Sequence, residues 1–423
     1  MTKVYNPKGS IIAALDIGMH KNVCLIARFI DDNGNLEIIG VGHQSTKGIK
    51  SGLISSMGDL EQSVRQTVHA AENMAANVMK GYPLRDVILN VSDNQILSDN
   101  ILVQLELSDA AVEQNDINKA LLKAYQQIDQ SKHQLIHSIP YGYNLDGKGE
   151  VAQPIGMVAE TLDLNIHTIT AENKYLSNII GCIEKSHLDV VALCSSTYAS
   201  GLSCLVEDEV DLGCILIDMG AGSTSFSIFE SGTMIFRGSV PIGGSHVTSD
   251  IAKGLNCSAQ DAERIKTLYG SSIVTTHDDA ELIDVPQLGE SEASNKVNHV
   301  PRSLLIGIIQ PRLEEIFEMI REQLDQFSQN KSLSRRIILT GGASQLPGMR
   351  DLCQMVLDKQ VRLGRPIHIN NLPDAASGPA FSTAAGLLLY YAHHQHEMPS
   401  EIVENAVKDT VWIRFKNWWK ENW

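Results

Sequence analysis

The chain has 423 residues, 43% of them hydrophobic and 20% charged, with a formal net charge of −16. Such a length can bury a large core and should form more than one domain. The composition is that of a soluble globular protein, and the acidic balance argues against nucleic acid as the main partner. Seven cysteines (24, 182, 194, 204, 214, 257 and 353) form no Cys-x-x-Cys pair and sit mostly in apolar strand patterns. They read as reduced core residues of a cytosolic protein. Only five apolar residues in a row precede Asp16, too few for a signal peptide, and no run approaches the roughly 20 residues of a membrane span.

The chain opens with Ile11-Ile12-Ala13-Ala14-Leu15-Asp16-Ile17-Gly18-Met19-His20-Lys21, followed by the apolar run Val23–Ala27. An apolar strand ending in Asp-x-Gly, then a returning strand, predicts a hairpin with a glycine turn. A third strand is predicted at Leu36–Val41. From Asp59 to Met79 the period turns helical, with Leu60, Val64, Val68, Ala71, Ala75 and Val78 on one face. Asp59 is the expected N-cap and Gly81-Tyr82-Pro83 the stop. Strands at Val87–Val91 and Ile101–Leu105, a helix from Ser108 through Ile128, and strands around Gln134–Ile139 and near Val158 predict a small α/β insert over residues 85–164. Leu164–Thr170, a helix from Asn173 to Ser186 and Leu188–Leu193 then return to the first unit. Ser195 to Leu205 is read as a connecting helix.

The second half repeats the opening. Cys214-Ile215-Leu216-Ile217-Asp218-Met219-Gly220-Ala221-Gly222-Ser223-Thr224 is again an apolar strand, an aspartate and a glycine turn, and Ser225–Phe229 alternates as a returning strand. One glycine hairpin beside an aspartate is most often just a hairpin; a second copy half a chain away indicates a duplicated domain. At such turns phosphate oxygens can approach backbone N–H groups. Gly18, Met19, His20, Gly220, Ala221 and Gly222 supply that backbone, Ser223 or Thr224 a hydroxyl, and Lys21 a point charge toward the outer phosphates. Asp16 and Asp218 would face those phosphates, which is tolerable where Mg2+ bridges the two through water. The expected ligand is a nucleoside triphosphate held with magnesium in a cleft between two hairpins.

A helix-rich stretch follows from Gly243 to about Arg302, interrupted by the acidic segment Asp278–Glu292, an exposed loop or hairpin. In it Glu263 and Lys266 lie three apart on one helix face; alone they would read as a solvated ion pair. Pro311 to Gln326 is predicted helical, with Leu313, Ile316, Phe317, Ile320 and Leu324 on one face. Arg336–Ser344 is a strand ending in Gly341-Gly342-Ala343, where a flat ring can lie against backbone, and Leu346-Pro347-Gly348-Met349 begins a helix. Ala384–Tyr391 is an apolar helix expected under the second sheet. His393–Ser400 reads as a solvated linker rather than as a metal site built on its three histidines.

The last stretch, 409–423, holds all four tryptophans. At 100° per residue Val411, Trp412, Phe415, Trp418, Trp419 and Trp423 fall within an arc of about 140°, with Arg414, Lys416 and Lys420 outside it and Ile413 the one misfit. Dense aromatics flanked by cations describe a helix lying in a membrane interface, and a partner-protein groove is the competing reading.

Two phosphate hairpins, an Ala-Glu-x-x-Lys helix and a Thr-Gly-Gly turn, in this order, resemble the actin and DnaK-chaperone superfamily of two-lobed ATP-binding proteins. Within it the chain is similar to the FtsA family of bacterial cell-division proteins. The likeness runs through Gly40-Val41-Gly42, Pro241-Ile242-Gly243-Gly244, Val247–Ala252, Leu339–Ala343 and Ser382–Leu387, and the tail matches too. The resemblance implies an α/β, two-lobed actin-like ATPase fold, with an inserted α/β subdomain in the first lobe and a C-terminal amphipathic helix. The first lobe would span 1–84 and 165–204, and the insert 85–164. The second lobe's inner part would span 205–242 and 303–391, its outer part 243–302, followed by a linker over 392–408. It adds Gly243 and Gly244 to the ATP-binding residues and places the C-terminal tail of the tubulin-like FtsZ near Arg302. It further implies self-assembly into filaments, recruitment of later division proteins through the insert, and attachment to the inner membrane's cytoplasmic face. Three departures point to slow turnover at most: Met19 and Ser225 near the phosphates, and Ser195 and Ser196 where hydrolysing relatives position water. Rival readings are a sugar kinase of the same superfamily, for which no catalytic base is evident, and a pilus-assembly relative. The tryptophan-rich tail speaks against both.

Overall fold

The computed structural model describes residues 8–50, 52–286, 297–328 and 333–394. Strands β1 (Ile11–Ile17), β2 (Lys21–Phe29) and β3 (Leu36–Ser45) form an antiparallel meander, followed by the short hairpin β4 (Ile49–Lys50) and β5 (Leu53–Ile54). Helix α1 (Met57–Met79) packs its Leu60, Val64, Ala71 and Ala75 against this sheet. Its N-cap is Ser56, whose hydroxyl accepts from the Asp59 amide. Asp59, the expected cap, instead lies in the first turn, where a carboxylate suits the helix dipole.

Strand β6 (Asp86–Val91) corrects the expected start of the insert. It lies parallel to β1, with Leu89 opposite Leu15, and is buried from Val87 onward. Burial on both faces is why it reads as the apolar run Val87-Ile88-Leu89, broken only by the hydrogen-bonded Asn90. The insert's own sheet is built from β7 (Ile96–Ala111), β8 (His133–Leu145), β9 (Glu150–Val151) and β10 (Val158–Glu172), in the order β7-β10-β8-β9. Helix α2 (Gln114–Gln127) covers it with Ile117, Ala120 and Ala124 over Val103, Leu105, Leu162 and Leu164. Leu164–Thr170, expected in the first lobe, is the second half of β10 and pairs with β7 and β8. Ser108–Ala111, expected as helix, still belongs to β7, whose pairing with β10 outweighs local helix preference.

Helix α3 (Asn173–Lys185) leads to β11 (Asp189–Ser195), which pairs parallel to β6 and completes a sheet of order β3-β2-β1-β6-β11. Helices α4 (Ser196–Cys204) and α5 (Glu207–Leu212) lead to β12 (Cys214–Met219), β13 (Thr224–Glu230) and β14 (Thr233–Val240). Helices α6 (Gly244–Leu255) and α7 (Ala259–Tyr269) come next; then β15 (Leu282–Pro286), in the described part of the acidic stretch, pairs antiparallel with β16 (Val297–Pro301). Helix α8 (Arg302–Ser328) begins nine residues before the predicted start at Pro311. Leu305, Ile306 and Ile309 extend its buried stripe upstream, so tertiary packing carries the helix through the proline. After β17 (Arg336–Thr340), α9 (Met349–Leu357) and β18 (Gln360–Leu363), the second sheet has the order β14-β13-β12-β17-β18. Strand for strand this repeats the first sheet, with β12 antiparallel to β13 and parallel to β17. The two Asp-x-Gly hairpins are therefore the same element of a duplicated unit.

The last described helix, α10 (Ser382–His393), lies under the first sheet, against β1, β2 and β6, and not under the second as expected. Helix α4, which leaves the first sheet, packs on β12 and β13 of the second. The connecting helices cross, each lying beneath the other lobe. A helix buried on every side carries no stripe that could have told which sheet it would meet. Where they cross, a Cβ on Gly386 would lie 1.6 Å from the carbonyl oxygen of Ala199. Among the described residues no helix is long and apolar enough to cross a membrane. The predicted helix at 409–423 and nearly all of the linker lie outside the described residues.

Candidate functional site

The β1–β2 and β12–β13 hairpins turn their tips toward one cleft of about 520 Å³. Both tips have the same construction. The Gly18 amide donates to the Lys21 carbonyl at 3.1 Å, and the Gly220 amide to the Ser223 carbonyl at 2.9 Å. Among the described residues the amides of Met19, His20, Ala221 and Gly222 make no backbone hydrogen bond, which leaves them for a ligand. The tips touch: a Cβ on Gly222 would sit 2.7 Å from the Met19 sulfur.

Every residue predicted for the cofactor lines this cleft except Gly243 and Thr224, the alternative to Ser223, whose buried hydroxyl donates instead to the Ile242 carbonyl at 2.9 Å. From the first hairpin come Asp16, Gly18, Met19, His20 and Lys21, and from the second Asp218, Gly220, Ala221, Gly222 and Ser223. The second lobe's outer part adds Gly244, Glu263 and Lys266, and the turn after β17 adds Gly341, Gly342 and Ala343. Gly243 sits behind the second hairpin, where a Cβ would lie 2.5 Å from the Gly220 carbonyl oxygen. There the Gly244 and Ser245 amides donate to the Gly220 and Ala221 carbonyls, tying α6 to the turn.

Asp16 and Asp218 are the electrostatic centre. Burial pushes the Asp16 carboxyl up to about 7, with Lys21 opposing and the Asp218 charge adding. Burial also pushes Asp218 up to about 6, against hydrogen bonds from Ser200 and Thr383. The Ser200 hydroxyl reaches Asp218 Oδ2 at 2.5 Å and the Thr383 hydroxyl at 3.4 Å, and these two hydroxyls are 2.9 Å apart. One stands on α4 and the other on α10, so the helix crossing positions this carboxylate. Gly341 presses on its other oxygen: its φ is +87°, and a Cβ there would lie 2.3 Å from Asp218 Oδ1. Asn90 secures the neighbourhood of Asp16, accepting from the Ile17 amide at 2.7 Å and donating to Ser196 Oγ at 3.1 Å.

On the far wall, Lys266 Nζ donates to Glu263 at 2.7 Å, Thr248 at 2.8 Å and the Gly244 carbonyl at 3.1 Å. Although burial alone would raise Glu263, the bonds from Lys266 and Thr248 hold it below the usual carboxylate range. The pair expected from helical spacing is thus part of a half-buried three-residue knot with Thr248 and not an isolated solvated ion pair. Lys21 does not point freely at the cleft: its ammonium donates to the Ala380 carbonyl at 3.1 Å and lies 3.6 Å above the Phe381 ring.

Several lining residues escaped the sequence reading. Asp93, at the C-terminal end of β6, is buried and accepts from Ser195 Oγ at 2.9 Å and the Thr197 amide at 3.0 Å. Arg237, buried on β14 of the other lobe, donates to the Asp93 and Ile96 carbonyls and pairs with the Asp93 carboxylate at 3.5 Å. Ser195 is therefore committed to Asp93, while Ser196 Oγ donates to the Val91 carbonyl. Two signals were available: the polar run Ser92-Asp93-Asn94 where a buried parallel strand ends, and the lone arginine in an apolar strand, which must be paired. Arg302, expected to meet a partner peptide, donates to the Tyr269 carbonyl, Asp278 and Glu281.

Two repeated β-sheet units, crossed helices and a cleft of two glycine hairpins define a two-lobed, actin-like α/β protein. A profile described as "Cell division protein FtsA" matches residues 215–386, and one described as "SHS2 domain inserted in FTSA" matches 94–170. The Cell division protein FtsA of Rhizobium meliloti (strain 1021) is 39% identical over 90% of this chain and 87% of its own. That of Pseudomonas aeruginosa is 30% identical over 98% of each. The chain belongs to the FtsA family of cell-division proteins. Among solved structures, a PilM–PilN type IV pilus biogenesis complex is similar at a TM-score of 0.66 and 18% identity, covering 90% of this chain and 98% of that one. MreB5 of Spiroplasma citri bound to ADP is similar at 0.51 and 12%, covering 91% and 97%. Those two likenesses are of fold; the family membership sets aside the sugar-kinase and pilus-assembly readings.

Proposed function

We propose that the chain is an ATP-binding division protein that tethers the FtsZ ring to the cytoplasmic face of the inner membrane. The observation that carries the nucleotide part is the pair of matched hairpins, each bearing one buried aspartate, turned toward a single cleft. In this reading the free amides of both turns hold the phosphates, Glu263 and Lys266 close one side, and the base lies along Gly341-Gly342-Ala343. The similarly folded MreB5 carries ADP. Asp16 and Asp218 fit a Mg2+ ion held through water, since both are oxygen donors whose ionisation at neutral pH is costly without a cation. Among the described residues no cluster of three metal-binding side chains exists, so water and phosphate would complete its shell.

Gly342→Glu and Gly220→Val test this directly. The Gly342 Cβ position has no neighbour nearer than 3.8 Å, so a glutamate is accommodated by the fold but projects charge into the cleft. Both variants should stay folded and lose ATP binding by calorimetry; normal affinity in both would overturn the cleft assignment. Turnover should be slow, with ATP acting mainly as a ligand that sets lobe closure. The extra carboxylate at the cleft, Asp93, is tied to Ser195, Thr197 and Arg237 and is no free base. A purified protein turning over several ATP per second, near the ordinary enzyme median of about 10 per second, would contradict this.

The remaining functions follow the family resemblance: filament formation, recruitment of later division proteins through the inserted subdomain, and binding of the FtsZ tail on the outer part of the second lobe. An acidic tail peptide meeting Arg302 would have to compete with Asp278 and Glu281 for its guanidinium. Residues 409–423 would supply the membrane anchor.

A further inference from the structure

The Lys21 ammonium has a built seat at the edge of the cleft. It lies 3.6 Å from the centroid of the Phe381 ring and donates to the Ala380 carbonyl at 3.1 Å. The ring itself is 7% exposed and braced edge-on by His43, with centroids 5.9 Å apart. Ala380, Lys21 and Thr383 all line the cleft. Among the described residues no carboxylate forms an ion pair with the ammonium, the Asp16 charge acting only from a distance, and a four-carbon stem lets it leave. Resting on the nucleotide reading above, we propose that Phe381 is a specificity-determining residue of this cleft: its ring competes with the outermost phosphate for Lys21. A triphosphate must draw the ammonium off its seat, whereas a diphosphate, lacking that phosphate, leaves it in place. The seat therefore weakens ATP binding selectively and narrows the preference for triphosphate over diphosphate.

The seat also has a structural consequence. Phe381 directly precedes α10, and Thr383 on that helix donates to Asp218. Vacating the seat thus acts at the end of the helix whose other end, His393, leads into the C-terminal linker.

The test is calorimetric titration of the full chain with ATP and with ADP, each with Mg2+. Phe381→Leu should bind ATP about fivefold more tightly, the factor that a cation–π contact of about 1 kcal/mol corresponds to, with ADP affinity unchanged. In a Lys21→Met background the same substitution should leave ATP affinity unchanged, as a double-mutant cycle requires. Unaltered ATP affinity, equal tightening of both nucleotides, or an effect that persists without Lys21 would each overturn the proposal. Because Phe381 is buried, a second measurement uses the unmutated chain. In 13C-lysine NMR the Lys21 ε-methylene, assigned with Lys21→Arg, should resonate upfield from the ring current. ATP should move it back to the ordinary lysine position and ADP should not. A resonance unmoved by bound ATP overturns the seat alone; failure of the unmutated chain to bind either nucleotide overturns the nucleotide reading with it.

Discussion

Gly386→Ala is expected to lower the unfolding free energy by several kcal/mol, the largest loss of any single methyl group considered. Overpacking a core ordinarily costs about 1–3 kcal/mol because side chains can move aside. Here the added Cβ would lie 1.6 Å from the Ala199 carbonyl oxygen and 2.2 Å from its carbon. Both are backbone atoms of α4, so relief requires the two helices to separate. Their separation would also pull apart Ser200 and Thr383, the hydroxyls that hold Asp218. The variant should therefore lose nucleotide affinity in proportion to its loss of stability. Gly307→Ala is the control: that glycine lies in α8 with nothing within 4 Å of its Cβ position. There alanine should stabilise by about 0.5–1 kcal/mol. Chemical denaturation of the three proteins decides the matter, and an unchanged midpoint for Gly386→Ala would show that the crossing can open.

Deleting residues 409–423 should leave a protein that binds ATP but no longer sediments with liposomes. If the tail lies in the interface, aromatics there are only partly buried, so each of its five rings would contribute about 1–1.5 kcal/mol, less than the roughly 1.5–3 kcal/mol of full burial. Arg414, Lys416 and Lys420 add about 1 kcal/mol each on an anionic leaflet. Folding a short helix and bringing a body of charge −16 to an anionic surface both oppose this. A net of about 6 kcal/mol corresponds to a dissociation constant of tens of micromolar for one tail. A monomer should bind and leave readily, while a filament presenting many tails should stay, because each further tail binds at high effective concentration. Binding should thus rise steeply with protein concentration, and Trp418→Glu should nearly match the deletion. Sedimentation of the truncated chain would show that the tail is not the anchor. Tight, strictly hyperbolic binding by the full chain would leave the anchor standing but remove avidity as its mechanism.

The cleft was legible because its construction is local. An Asp-x-Gly hairpin needs glycines, an aspartate and a strand on either side within about ten residues, and the chain writes that pattern twice. The same holds for Glu263 and Lys266, brought together by helical spacing, and for the glycines after β17. The residues missed are those whose role depends on a partner far away in sequence. Asp93 meets Arg237 across the lobes, Ser200 and Thr383 converge on Asp218 from two helices, and Phe381 meets Lys21 from the other end of the chain.

The sequence by itself determined the duplication, the strands of both hairpins, the presence of an α/β insert and the family, since each rests on short-range pattern. Only the tertiary structure decided which sheet a strand or helix joined. Asp86–Val91 and Leu164–Thr170 have strand patterns that fit either the lobe or the insert, and pairing with β1 or with β7 settles it. Helix α10 is apolar all round, so nothing in it distinguishes one sheet from the other. Its place under the first lobe, crossed with α4 at Gly386, comes from close packing between segments nearly two hundred residues apart, which no local pattern encodes.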